Sequence, residues 1–293
     1  MSERTIRPSF LGTVSAERIK VTRQLSVWLM VVAGLVVLAV ITLAVLSTQN
    51  VQDQLRTNPT AWAYGARDVF GTVYQIGSGI FLLIVGSRLI AMEYSSGTIR
   101  IIYARGTGRL HLWLAKLVTL AIIGVVALAA YLLAVGVILA VLISSWFGGL
   151  DPVSHISNEF WGDLGRWALV QGMSMGVVIL MAAAAAGIGR ALAFAMAASI
   201  AFFPADNFMV IIESLAARVT RHDHPWVDIS QYQLGANLNI VLNLIEPGHH
   251  ARAAFATPLT TIDATHALVV IGLWALAFAV IAVWRTVRPD VLE

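Results

Sequence analysis

Residues 25–46 read LSVWLMVVAGLVVLAVITLAVL and contain no charged side chain. A helix needs about 20 consecutive apolar residues to cross the hydrocarbon core of a bilayer, and this run supplies them. The apolar core of a secretory signal is shorter, about 7–15 residues, so the run is expected to remain in the membrane as an anchor. A polar tail carrying Arg4, Arg7, Arg18, Lys20 and Arg23 precedes it. Further apolar runs lie near Val73–Met92, Leu114–Ser144, Trp167–Ile188, Ala191–Ile212 and Ala267–Val283. The sequence therefore predicts an all-α membrane protein with six transmembrane helices. The run at Leu114–Ser144 is long enough to tilt or to project beyond the bilayer. Pro204 is the one interruption of a helical core.

Composition points the same way. Of the 293 residues, 58% are hydrophobic and 12% charged, whereas a soluble domain carries about 25% charged residues. Six spans leave space for tails, loops and one modest extramembrane element, but not for a soluble catalytic domain. There is no GxxxxGK[ST] phosphate loop, so any ATP used must be bound by another chain. The absence of Cys excludes disulfides, thiolate catalysis and Cys-ligated metals. HExxH and GxSxG are absent too, and no catalytic residue is assigned. His222, His224, His249 and His250 have no Cys to complete a tetrahedral set, and no metal site is expected.

Orientation follows from Lys and Arg. With the N-terminus inside, the inner segments are the tail, residues 88–116, Arg190 and the end from Arg285 onward. They carry 13 of the 19 basic residues and five acids, while the outer segments carry six basic residues and eleven acids. Both termini are thus expected in the cytoplasm. The positive charge is divided among short segments, so it reads as membrane orientation and not as a nucleic-acid surface.

Residues 1–24 form a cytoplasmic tail. Its part at 10–24 has Leu11, Val14, Ile19 and Val21 among basic residues, the pattern of a helix lying on the inner membrane surface. Residues 25–293 form the six-span domain, with an inner loop at 93–113 and an outer segment at 215–265. Leu234, Leu238, Val241, Leu242 and Ile245 recur at helical spacing in that outer segment. They predict a short helix that dips into, or rests on, the outer membrane face, stopped by Pro247-Gly248.

The inner loop has the densest pattern: Glu93-Tyr-Ser-Ser-Gly97-Thr98, then Ile99-Arg-Ile-Ile-Tyr-Ala-Arg105, Gly106-Thr-Gly-Arg109 and Lys116. Gly97 lets the chain leave the second span. Thr98 can cap a new short helix, Gly106 ends it, and Thr107 can cap the third span. Ile99, Ile102 and Tyr103 are expected on one face, with Arg100 elsewhere, as a helix-in-groove docking element.

Glu-Tyr-x-x-Gly-Thr, the Arg-containing stretch after it, and Arg109 with Lys116 resemble the first cytoplasmic loop of ABC-2 type transporter permeases. Six spans, an N-terminal interfacial helix and a long outer segment before the last span extend the resemblance over the whole topology. That family usually has Pro where Gly106 stands. The resemblance implies a coupling helix seated in a cleft of a separate ATP-binding cassette subunit. Glu93, Gly97 and Thr98 would shape its approach, Ile99, Arg100, Ile102, Tyr103 and Arg105 would dock, and Arg109 with Lys116 would anchor its exit. It further implies two ATPase subunits holding ATP and Mg, with no cofactor in this chain, and a second permease copy, expected to be identical.

Candidates for a transport path lie in the fourth and fifth spans. Gly172 and Gly176 form a GxxxG pair, which reads as packing inside the chain or as a dimer face, the former being favoured. Phe202, Phe203, Pro204, Asp206 and Asn207 read as a bent helix whose paired aromatics narrow a central path and whose acid lines its outer mouth. An interfacial aromatic belt with a solvated acid is the plainer alternative. Gln171 either bonds across helices or faces the path.

The expected function is a permease subunit in the plasma membrane of a bacterial cell, exporting an amphipathic or hydrophobic drug, lipid or peptide. An ion-driven secondary transporter would require acidic residues near the membrane midplane. An enzyme acting on lipid-linked substrates would require convergent acids, histidines or a nucleophile at one depth. The sequence offers little toward either.

Overall fold

A computed structural model describes residues 9–46, 50–104, 106–246, 248, 253 and 255–287. Arg105, Pro247, His249 and His250 lie outside the described residues. Among the described residues the chain is helical with no strand. The helices are α1 (Phe10–Thr22), α2 (Leu25–Leu46), α3 (Val51–Thr57), α4 (Pro59–Ser95), α5 (Thr98–Ala104) and α6 (Arg109–Phe147), followed by α7 (Asp151–Ser154), α8 (Asn158–Gly189), α9 (Leu192–Thr220), α10 (Trp226–Ser230), α11 (Leu234–Ile245) and α12 (Ala264–Val287). Six of them, α2, α4, α6, α8, α9 and α12, are long and apolar enough to cross a membrane.

Most of these helices outrun the apolar runs that predict them, because polar residues at their ends find partners. Asn58 accepts the Ala61 N–H at 3.0 Å and Pro59 follows at the first turn, so α4 begins well before Val73. Arg67, a charge within this added length of α4, is neutralised inside the bundle by Glu246. Ser157 caps α8 at the Phe160 N–H. Gly148 ends α6 in the left-handed region at φ 74°, where glycine costs least. The expected Thr107 cap does not form: Gly108 precedes α6 with no side-chain bond.

The packed centre is α8 against α4, α9 and α12. Small residues set the distances, since Ala182, Ala183, Ala184 and Ala186 are all buried. A methyl group at Gly86 of α4 would sit 3.1 Å from the Ala182 Cβ, so these two helices approach as glycine permits. The GxxxG pair does not take part in this packing. Gly172 and Gly176 face outward, with nothing within 4 Å of a side chain added at either, which corrects the expectation of packing inside the chain. Glycine spacing alone cannot say which face of a helix meets a neighbour.

The periphery is α2 and α6. On α2 only Val27 and Leu38 are buried, and α6 exposes Val125, Val126, Leu133, Val137 and Val141. Water would not tolerate so continuous an apolar surface, but acyl chains match it. One end of the bundle holds α1, α5 and the α12 terminus, where Arg109 donates to the Val287 carbonyl at 3.3 Å. The opposite end holds α3, α7 and α10, the short helices that follow α2, α6 and α9 in the chain.

The short helix predicted in the long segment is α11, and it enters the bundle instead of resting on a membrane face. Leu234, Leu238 and Val241 are buried against α8, α9 and α12. Its chain end is fixed by Glu246, whose carboxylate accepts from Arg67 at 2.6 Å with both side chains almost fully buried.

Candidate functional site

Two places combine exposure with built polar geometry: the α5 loop at one end, and a cavity between α4, α8, α9 and α11 at mid-bundle.

Gly97 takes φ 69° between α4 and α5, a region that L side chains rarely adopt, and Gly106 closes the loop at φ 84°. Thr98 starts α5, but its hydroxyl bonds Ser96 at 2.9 Å and the Glu93 carbonyl at 3.5 Å instead of a helix amide. Ile99, Ile102 and Tyr103 share one side of α5, as expected, but that side is turned toward the chain itself. Ile99 is buried, Ile102 and Tyr103 are half-buried, and the residues turned outward are Arg100 and Ile101, the latter 56% exposed. A seven-residue helix packs its apolar side on its own chain before it can offer that side to a partner. Arg109 lies over the Tyr103 ring at 5.4 Å. Burial, with Tyr94 beside it, pushes the Tyr103 phenol up, so it stays neutral at physiological pH. Arg105 lies outside the described residues.

Glu93 and Lys116, expected to flank the docking helix, are held inside a four-charge cluster. Lys116 Nζ lies 3.1 Å from Glu17 and 3.0 Å from Glu93, and donates to the Leu89 carbonyl at 2.6 Å. The contacts to Glu17 and the Leu89 carbonyl are hydrogen bonds, and the contact to Glu93 is an ion pair. Lys20 closes the ring at 2.6 Å from Glu17 and 2.7 Å from Glu93. Desolvation pulls the Lys20 ammonium down, but its bonds to the two carboxylates outweigh that and leave it above its ordinary value. The cluster joins α1, α4 and α6 at the root of α5. Glu17 was not singled out from sequence, although its place with Val14 and Val21 on one face of α1 was the available clue.

The cavity encloses about 480 Å³. α4 contributes Gln75, Ile76, Gly79, Ile80 and Leu83, and α9 contributes a stripe from Ile200 through Phe203, Pro204, Asn207 and Phe208 to Ile211. Gly235, Leu238 and Asn239 of α11 close one side. Ile76, Ile80, Phe208 and Ile211 are among the chain's exposed apolar residues, so the mouth opens sideways between α4 and α9. Three amides form a chain across it: Gln75 donates to Asn239 at 3.3 Å, and Asn239 donates to Asn207 at 3.1 Å and to the Ala256 carbonyl at 2.8 Å.

Of the residues expected along the path, Phe203 and Asn207 line this cavity. Phe202 does not; its ring packs on Trp274 and Phe278 of α12 at 5.8 and 5.9 Å. Asp206 is not a solvated mouth residue either. Its carboxylate accepts the Gly235 N–H at 2.6 Å and so caps the first turn of α11. Consecutive helical positions point about 100° apart, so Phe202 and Phe203 could not both narrow one path. Gln171 is buried behind the cavity, in a hollow of about 40 Å³ shared with Gln75 and Asn239. Sequence reading missed Gln75 and Asn239, single amides in apolar helices whose partners lie far along the chain.

A family model described as an ABC-2 family transporter protein matches residues 13–205, more than half of the chain and inclusive of α5 and the four-charge cluster. No curated protein gives a match.

Proposed function

The chain belongs to the ABC-2 transporter family, and on that premise we propose that it is the permease subunit of an ATP-binding cassette transporter whose ATP is hydrolysed by a separate subunit. It is a multi-pass membrane protein. In this reading α5 faces the cytoplasm, both termini lie on the same side, and the membrane is the plasma membrane. Two ATPase subunits, holding ATP and Mg, serve two identical permease copies, and the direction is export of an amphipathic or hydrophobic substrate.

The observation that carries the reading is a short, outward-facing helix rooted on a rigid junction that leads to a cavity. Arg100 and Ile101 are exposed on α5, while the four-charge cluster locks α1, α4 and α6 beneath it. From Ser95 the helix α4 runs unbroken to the cavity wall at Leu83 and Gln75, a lever of about 20–30 Å. A push on α5 therefore moves α4, and α4 forms one lip of the cavity mouth. Such a two-position movement is how packed helices transmit work.

The test is purification of the tagged chain in a mild detergent, with ATPase assay and identification of any bound subunit. Wild type should retain a stoichiometric ATPase. Ile101→Asp, which puts a charge on the exposed face of α5, should lose it with the melting temperature unchanged. Recovery of the bare chain in several mild detergents, without ATPase activity, would overturn the proposal.

A further inference from the structure

We propose that the cavity between α4, α9 and α11 takes a neutral, largely apolar molecule bearing an amide group, which bonds to Gln75 and its amide neighbours. This rests on reading the cavity as the substrate site of the permease.

Charge is the first argument. Among the described residues, none of those lining the cavity is Lys, Arg, His, Asp or Glu. Two charged groups on the surrounding helices are committed elsewhere: Asp206 caps α11, and Arg67 is bound by Asp68 and Glu246. An ion entering the cavity would leave its hydration without meeting a counter-charge, which is costly in an apolar site.

The second argument is the hydrogen-bonding capacity left over. Asn239 spends both amide hydrogens on Asn207 and Ala256, and its oxygen accepts from Gln75. Asn207 gives one hydrogen to the Phe203 carbonyl. A carboxamide has two N–H donors and an oxygen with two lone pairs. Gln75 thus retains its oxygen and one N–H, side by side in one plane. An amide answers both at once, with its own N–H and oxygen. Pro204 adds an acceptor, because it has no N–H to give to the Ile200 carbonyl one turn earlier, and both residues line the cavity. Ser174 of α8 adds a hydroxyl; the remaining side chains are apolar, with Ile76, Phe208 and Ile211 at the mouth, and suit the body of such a ligand.

Gly79 supplies the control. It lines the cavity, and a Cβ there meets nothing within 4 Å, so a side chain at this position starts into open space and Gly79→Leu occupies part of the cavity.

The experiment uses the full chain in lipid nanodiscs and three benzophenone photoprobes with the same alkyl arm, ending in a carboxamide, a trimethylammonium or a carboxylate. The carboxamide probe should label α4 and α9 lining residues saturably, at half-saturating concentrations at least about tenfold below those of the charged probes. Gly79→Leu should abolish that labelling with an unchanged melting temperature, and Gln75→Leu should weaken it about thirtyfold, as expected for two lost hydrogen bonds. Equal labelling by the charged probes, labelling mapped elsewhere, or full labelling of Gly79→Leu would overturn the assignment. If an ATPase co-purifies while the charged probes label equally, the ligand class fails and the permease stands. Carboxamide-selective labelling of a chain that recruits no ATPase gives the reverse.

Discussion

Lys116 of α6 lies 3.1 Å from Glu17 of α1, with both side chains almost fully buried. The two residues are 99 positions apart, and Glu93 completes the contact from α4 at 3.0 Å. Removing one member of a buried ion pair strands the other, at about 3–5 kcal/mol. Lys116→Met should therefore lower stability by that order, read as the melting temperature in detergent. The double variant Glu17→Gln with Lys116→Met should cost clearly less than the two single changes added together, because each already removes the shared contact.

The same cluster sets a pH dependence. The folded-state pKa of Lys20 is raised by Glu17 and Glu93 against the desolvation that lowers it. A raised pKa means that the folded state holds its proton more tightly than the unfolded chain. That stabilisation is fully present below the ordinary lysine value of about 10.4 and is lost as pH rises through the higher folded value. Melting of the wild type relative to Lys20→Met should show a constant advantage from neutral pH to about 10, shrinking above it. An advantage that instead grows above pH 10 would contradict the assignment.

Glycines in α4 and α8 should differ sharply in tolerance. Gly86→Val presses on Ala182 at a site where the first added carbon already lies 3.1 Å away, and overpacking of this kind costs about 1–3 kcal/mol. Gly172→Ala meets open space and should stay within about 0.5 kcal/mol of wild type in thermal unfolding.

Asp206 and Gly235 hold α11 against α9. A methyl group at Gly235 would meet the Asp206 carboxylate at 2.5 Å, so Gly235→Ala must turn that carboxylate off the Gly235 amide or separate the helices. Asp206→Asn weakens a charge-assisted bond, at a cost of about 1.5–3 kcal/mol. Both variants should speed hydrogen exchange of the Gly235 amide and the first turn of α11 by tenfold or more, about 1.4 kcal/mol or above. Exchange at the α4 amides around Leu83 should not change.

The sequence by itself determined six spans, a short helix at 98–104 and a second short helix in the long segment before the last span. Each rests on a local cause: run length for the spans, Gly97 and Gly106 for the first short helix, and apolar spacing for α11. It also located the loop whose pattern carries the family resemblance. Spacing put Ile99, Ile102 and Tyr103 on one side of α5, but that this side turns inward and leaves Ile101 out was not legible, because only packing decides it. The same limit hid the outward face of Gly172 and Gly176. In a bilayer both the packed and the lipid-facing sides of a helix are apolar, so periodicity loses the contrast that water gives it. Tertiary structure alone decided the partners of the buried charges and amides. Glu17 meets Lys116, Arg67 meets Glu246 and Gln75 meets Asn239 across separations of 99, 179 and 164 residues. These pairs exist because an unpaired polar group is costly in an apolar medium, yet that cost requires only a partner and does not say which one.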